Sequence, residues 1–199
     1  MMKTSTWTEH QLILASQSPR RKQILKMIGL DFTIHKSNYH ENPIDHKTPV
    51  QLAEIHALEK ARDVALNYTD GLIIGADTIV VIDHEILGKP VDRNDAFEML
   101  RKLSGRTHEV MTGVAVNNAG NSKNLSFVAT TAVTFVELSN DMINHYLDNY
   151  HYSDKAGSYA IQDYSGLFVE KITGCFYNVV GFPVSEFYHR MNDQGNKIL

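Results

Sequence analysis

Pro19-Arg20-Arg21-Lys22 places three cations in the opening turn of a segment whose Ser18-Pro19 start predicts a helix. The N-terminus of a helix is positive, because its free N–H groups and the macrodipole point outward there. A cation at such a site costs about 0.3–1 kcal/mol when exposed. A bound anion reverses that penalty, and the free N–H groups of Arg20, Arg21 and Lys22 are donors suited to phosphate oxygens. The hydroxyls of Ser16 and Ser18 add donors, and an arginine grips phosphate through two parallel bonds. The alternative is a solvated basic face. Three other helix starts follow the ordinary rule, with Asp92/Asp95, Ser139/Asp141 and Thr48/Gln51 acidic or neutral.

Asp77 follows the apolar run Leu72–Ala76. A carboxylate in that setting needs a metal, a cation or hydrogen bonds. It can ligate Mg²⁺ or Mn²⁺, take a proton from water, or be satisfied by local backbone. Lys89 in Gly88-Lys89-Pro90 and Lys155 in Asp154-Lys155-Ala156-Gly157 stand beside glycines, which let backbone approach a ligand closely. Lys60 flanks the small-residue stripe Ala53, Ala57, Ala61, which predicts a closely packed helix that holds the lysine steady. Glu41, in a polar loop containing Pro43, is a candidate second oxygen ligand for a hard divalent ion. Each of these residues also has an ordinary reading, as a surface charge or a loop acid.

The elements that must position these groups are legible from period and punctuation. Leu12–Ala15 reads as a short buried strand. A helix runs from Ser18-Pro19 to Gly29, a second strand covers Phe32–His35, and a Thr48-x-x-Gln51 capping box opens a helix to about Asn67. Leu72–Ile82 is a long strand that turns at Asp83-His84-Glu85. Asp92 caps a helix to about Leu103. Glu109–Val116 and Leu125–Val136 predict neighbouring strands joined across Asn117–Gly120, and Ser139 caps a helix to about Tyr150. Short strands are expected around Tyr159, at Leu167–Ile172 and at Phe176–Val180, with a last helix after Pro183. Strands mixed with helices in this way predict an α/β or α+β fold on a mixed sheet.

Composition narrows the function classes. The 199 residues suit one domain, and the single cysteine, Cys175, excludes an internal disulfide and reads as a buried structural thiol. A net charge of −4 and the lack of an aromatic-basic stripe argue against nucleic-acid binding. No segment approaches the roughly 18 apolar residues of a membrane helix, and the polar Met1–Gln11 start predicts a cytoplasmic protein. His35, His40 and His46 match no zinc pattern, and neither a Walker A motif nor G-x-G-x-x-G occurs.

Taken together, the motifs resemble the Maf family, described as septum-formation inhibitors and as nucleoside triphosphate pyrophosphatases. The resemblance covers Leu12 to about Arg190. It rests on Leu14-Ala15-Ser16-Gln17-Ser18-Pro19-Arg20-Arg21, Gly75-Ala76-Asp77-Thr78, Gly88-Lys89-Pro90, Leu103-Ser104-Gly105, Asp154-Lys155-Ala156-Gly157, Ile161-Gln162 and Val179-Val180-Gly181-Phe182-Pro183. It implies a two-lobed α/β domain like that of the inosine triphosphatases, with a long mixed β-sheet flanked by helices and a central cleft. It also implies a divalent cation (Mg²⁺, Mn²⁺ or Co²⁺), a homodimer and a cytoplasmic setting.

The same resemblance makes Asp77 the catalytic proton acceptor and a metal ligand with Glu41. Arg20, Thr78 and Gln162 match the positions associated with dTTP and UTP, so the implied reaction is hydrolysis of those nucleotides to monophosphate and pyrophosphate. The implied cellular role is to limit incorporation of modified nucleotides, with a link to cell-division arrest. Ser16, Ser18, Arg21, Lys60, Lys89 and Lys155 complete the expected substrate contacts. Two rivals follow: the same reaction on 7-methyl-GTP or another modified nucleotide, and a non-catalytic, nucleotide-binding regulator of septation. One departure stands out, since relatives often carry two adjacent acids where this chain reads His40-Glu41.

Overall fold

The computed structural model describes residues 11–41, 44, 46–120 and 124–193. The polar start and Pro43 of the loop before the capping box lie outside the described residues. By contact the chain divides into two compact units. One comprises Met1–Asp77, Thr112–Ala129 and Gly181–Leu199, the other Thr78–Met111 and Thr130–Val180.

The first unit opens with β1 (Leu12–Leu14) and α1 (Pro19–Met27). Ser18 caps α1 and Pro19 takes its first position, where a missing N–H costs nothing. Gly29, at φ +79°, ends it: the Leu30 N–H donates to the Leu25 carbonyl and the Gly29 N–H to Lys26, a Schellman closure. After β2 (Thr33–Ile34) comes α2 (Pro49–Ala65), opened by the complete Thr48/Gln51 capping box. β1 pairs in parallel with β2 and with the start of β3 (Leu72–Ile82), Leu14 facing Ile74. Ile13, Ala15, Ala57, Ala61, Val64, Ile73 and Ala115 form this unit's core.

Two glycines set the depth at which α2 lies. A Cβ on Gly75 of β3 would stand 2.2 Å from the Ala57 carbonyl oxygen and 2.8 Å from the Ala61 nitrogen. A Cβ on Gly113 of β5 (Thr107–Asn118) would stand 2.1 Å from the Ala53 carbonyl oxygen. Such distances are impossible for a real side chain, so only glycine allows the alanine stripe to rest directly on the strands.

The second unit carries β4 (Glu85–Leu87), antiparallel to the end of β3 across Asp83 and His84, both at positive φ. It also contains α3 (Arg93–Leu103), α4 (Asn140–Asn149), β7 (Val169–Thr173) and α5 (Phe176–Val180). Its core includes Leu100, Leu103, Val133, Phe135, Tyr146 and Phe168. β6 (Asn124–Phe135) pairs antiparallel with β7, and α6 (Val184–Asp193) closes the described chain. Among the described residues the strands form one seven-stranded sheet of order β2-β1-β3-β5-β6-β7, with β4 on β3, a mixed α/β arrangement.

Four expectations are corrected. Phe176–Val180 is a helix rather than a strand: the Cys175 carbonyl accepts the N–H groups of Asn178 and Val179, and the Asn178 amide is buried on Val110 and Thr131. The valines there gave a β signal that this local bonding overrides. The region around Tyr159 forms no strand but follows a short 3-10 turn, Ala156–Ser158. The Leu167–Ile172 strand begins only at Val169, because Tyr164–Phe168 is a 3-10 turn capped by Asp163. Cys175 is half-buried rather than fully buried.

Candidate active site

The register of β1 on β3, carried two residues beyond Leu14, sets Ser16 level with Ala76 and next to Asp77. Ser16 is buried, and its Oγ accepts from the Ser18 backbone N–H at 3.2 Å and from Nη1 of Arg21 at 3.2 Å. The Ser18 Oγ caps α1 by accepting the Arg21 N–H at 3.5 Å. Nε of Arg21 donates to the Gly181 carbonyl at 3.0 Å. This bond gives the Gly181-Phe182-Pro183 motif a physical purpose: it aims the guanidinium. α1 has no acid in its first turn, so Arg20 and Arg21 keep that end strongly positive.

Asp77 is 5% exposed in the middle of β3, on the same face as Gly75. Because α2 lies so close to that face, Nζ of Lys60 reaches Asp77 Oδ1 at 2.7 Å. The same ammonium pairs with Glu41 Oε1 at 2.5 Å. One lysine therefore stands between both expected carboxylates. Burial lowers the basicity of the Arg21 guanidinium, while Asp77 and Glu41 raise it and Arg20 lowers it. Arg21 thus lies within electrostatic reach of both acids. Burial, then Glu59, Glu41 and Asp77, push the nearby Tyr39 hydroxyl up.

Asp77 Oδ2 is buried and has no hydrogen-bond partner among the described residues. Such an atom costs free energy unless something takes it up. Hard carboxylate oxygens suit Mg²⁺ or Mn²⁺, and Mg²⁺ is commonly held by one or two carboxylates with substrate phosphates completing its shell. Glu41 and Asp77 fit that pattern. Among the described residues no three His, Cys, Asp or Glu side chains gather into a cage, and His40 is exposed.

The remaining candidates belong to the second unit. Thr78 is half-buried and, by strand alternation, on the face opposite Asp77. Lys89 and Gln162 are exposed. Lys155 is buried and committed locally: its ammonium donates to the His151 carbonyl and pairs with Asp154 Oδ1 at 3.1 Å. The Gly157 N–H donates to the Gly88 carbonyl at 3.0 Å, which joins the loops carrying Lys155 and Lys89. Gly157 is at φ +66°, and a Cβ there would meet Val80 at 3.1 Å.

The sequence assigns no role to Gly113, Tyr39 or His56, and includes Gly181 only as part of a motif. The glycines carried a signal, since each interrupts an apolar run. Tyr39 and His56 carried none.

Two carboxylates share a lysine in an α/β protein, within electrostatic reach of an arginine fixed at a basic helix start. The chain belongs to the Maf family: the Maf-like protein model matches residues 11–194. A protein of Ruminiclostridium cellulolyticum named dTTP/UTP pyrophosphatase is 46% identical over 189 residues, covering 94% of this chain and 98% of that relative. A protein of the same name from Methanosarcina barkeri is 44% identical, covering 87% of this chain and 89% of its own length. One from Bacillus anthracis is 43% identical, with 91% and 94% covered. A solved structure of the Staphylococcus aureus Ham1 protein matches at 12% identity with a TM-score of 0.52, over 94% of this chain and 100% of that one, a likeness of fold. No helix among the described residues is long and apolar enough to cross a membrane.

Proposed function

We propose that this chain hydrolyses dTTP and UTP to the monophosphate and pyrophosphate, acting as one cytoplasmic enzyme domain and as a homodimer, without nucleic-acid or membrane partners. The observation that carries the reading is the Asp77–Lys60–Glu41 arrangement within electrostatic reach of Arg21. The names of relatives at 41–46% identity support the choice of nucleotide.

The side chains of Arg20 and Arg21, with the hydroxyls of Ser16 and Ser18 at the positive start of α1, bind the triphosphate; the Arg21 and Lys22 N–H groups are taken up by Ser18 and are not among the donors. Asp77, held at Oδ1 by Lys60, takes a proton from water. The water oxygen then bonds to the α-phosphorus as the bond to the bridging oxygen breaks, and pyrophosphate leaves with its charge met by cations. Such chemistry depends on positioning and electrostatic stabilisation. A divalent cation on Asp77, Glu41 and phosphate oxygens would offset the negative charge around the α-phosphorus. The resemblance to the family assigns Lys89 to phosphate and Thr78 and Gln162 to the nucleotide, while the local bonds of Lys155 suit it to holding its loop. The amide of Gln162 can both donate to and accept from a pyrimidine edge.

Pyrophosphate release from dTTP, UTP, CTP, GTP and 7-methyl-GTP with Mg²⁺, Mn²⁺ or Co²⁺ tests this. Preference for dTTP and UTP supports it. Preference for 7-methyl-GTP would move the substrate assignment, and nucleotide binding without release would favour a non-catalytic regulator.

A further inference from the structure

The segment that carries Glu41 is fastened along one face of α2. His56, Lys60 and Asp63 fall four and three residues apart on that helix, and so form a single stripe. Each holds a different part of residues 37–41. Asp63 Oδ2 accepts from the Ser37 hydroxyl at 2.8 Å and from the Asn38 N–H at 2.7 Å. His56 Nδ1 and the Tyr39 hydroxyl share a hydrogen bond of 2.9 Å, with the ring centroids 5.7 Å apart. Lys60 takes Glu41.

These attachments are not equivalent. The Glu41 side chain is 42% exposed, and an ion pair that open to solvent holds a carboxylate only loosely. His56 is 7% exposed, so its imidazole depends on the Tyr39 hydroxyl for a partner it cannot find in water. Tyr39 is also only two residues from Glu41. The bond with the most to lose on opening is therefore the one next to the exposed carboxylate.

We propose that Tyr39 and His56 are positioning residues: their hydrogen bond latches the Ser37–Glu41 segment onto α2 and so sets where Glu41 stands relative to Asp77. The proposal rests on the assignment of Glu41 and Asp77 to a divalent ion. Neither latch residue touches substrate. The consequence is a site whose second carboxylate is placed by a neutral bond outside the charged cluster, so that metal affinity can change while the chemical step does not.

The test uses the full chain and three readouts. Mn²⁺ binding to nucleotide-free protein is measured by electron paramagnetic resonance, dTTP turnover is measured across a Mn²⁺ titration, and backbone hydrogen exchange is measured at residues 38–41. Tyr39→Phe keeps the ring and removes the hydroxyl. It should weaken Mn²⁺ binding roughly 3- to 10-fold, the net worth of one hydrogen bond, and raise the Mn²⁺ requirement by the same factor. The kcat at saturating Mn²⁺ should stay within about twofold, and exchange at residues 38–41 should quicken. His56→Asn, which returns an amide near the Nδ1 position, should stay within about twofold of the parent in all three. Parental Mn²⁺ affinity in Tyr39→Phe overturns the proposal, whether exchange quickens or not. A parent protein that turns over dTTP but binds no Mn²⁺ overturns the assignment of Glu41, and with it the purpose given to the latch. Absence of turnover with normal Mn²⁺ binding would instead overturn the proposed reaction, leaving the latch supported by the binding and exchange results.

Discussion

Lys60→Met removes an ammonium from between two carboxylates and leaves the aliphatic stem in place. In the parent, Nζ is 2.7 Å from Asp77 Oδ1 and 2.5 Å from Glu41 Oε1. Glu41 is half exposed, and its loss of a partner costs little. Asp77 is different, because its side chain is 7% exposed and its other oxygen already has no partner among the described residues. Breaking a buried pair by removing one member costs about 3–5 kcal/mol. Arg21, whose charge Asp77 senses, stays in place, so the lower end applies. About 3 kcal/mol at roughly 2–4 °C per kcal/mol lowers Tm by about 6–12 °C for a chain of this size. The same substitution removes a competitor for the metal. Mn²⁺ should therefore raise the Tm of the variant more than that of the parent, and bind the variant more tightly. Turnover should still fall, since Asp77 loses the group that orients it. Differential scanning fluorimetry with and without Mn²⁺ reads both effects. A Tm drop under about 2 °C, with equal Mn²⁺ stabilisation of both proteins, would show that Lys60 is not what balances Asp77.

Gly75→Ala should be far worse than Gly88→Ala. The first forces a Cβ into the Ala57 backbone and lifts α2 with Lys60 on it, costing at least the roughly 1–3 kcal/mol of an overpacked core and most activity; the second meets nothing within 4 Å and should be near neutral. Paired Tm and turnover measurements check this. His108 is buried against Tyr159, 2.7 Å from its hydroxyl, and burial lowers its pKa to about 4. The unfolded chain protonates this histidine near the ordinary imidazole value of 6.5, so the unfolded state binds more protons between that pH and about 4. The stability from the neutral imidazole is thus present above about pH 6.5 and lost on acidification, by roughly 3 kcal/mol at pH 4. His108→Gln should flatten the fall in Tm between those pH values. An unchanged slope would assign it to other groups.

Much of the fold could be read from local signals. Ser18-Pro19, Thr48-x-x-Gln51, Asp92 and Ser139 cap the helices expected of them, because capping is decided by side chains within one turn. The expected steadying of Lys60 also follows from a local pattern, the Ala53, Ala57, Ala61 stripe. What that stripe packs against was not local. It needed Gly75 and Gly113, on two different strands, to face the same helix. The Arg21–Gly181 bond joins residues 160 positions apart, and the Tyr39–His56 bond joins a loop to a helix with no shared motif. Phe176–Val180 misled because valine content spoke for a strand, while the Cys175 carbonyl and the buried Asn178 amide decided for a helix. A glycine-flanked loop lysine reads by itself as a surface charge, and only the family resemblance puts Lys155 at the substrate. In the fold its ammonium is buried on the His151 carbonyl and Asp154.

In the proposed reaction the Asp77 carboxylate directs water onto the nucleotide. Asp77→Asn keeps the size of the side chain and an oxygen for Lys60, and removes the basic group. Pyrophosphate release from dTTP with saturating Mn²⁺, measured alongside Tm, is the direct test. The account predicts a folded variant that still binds dTTP and releases pyrophosphate about 10²- to 10⁴-fold more slowly. A folded Asp77→Asn protein turning over at close to the parental rate would contradict it.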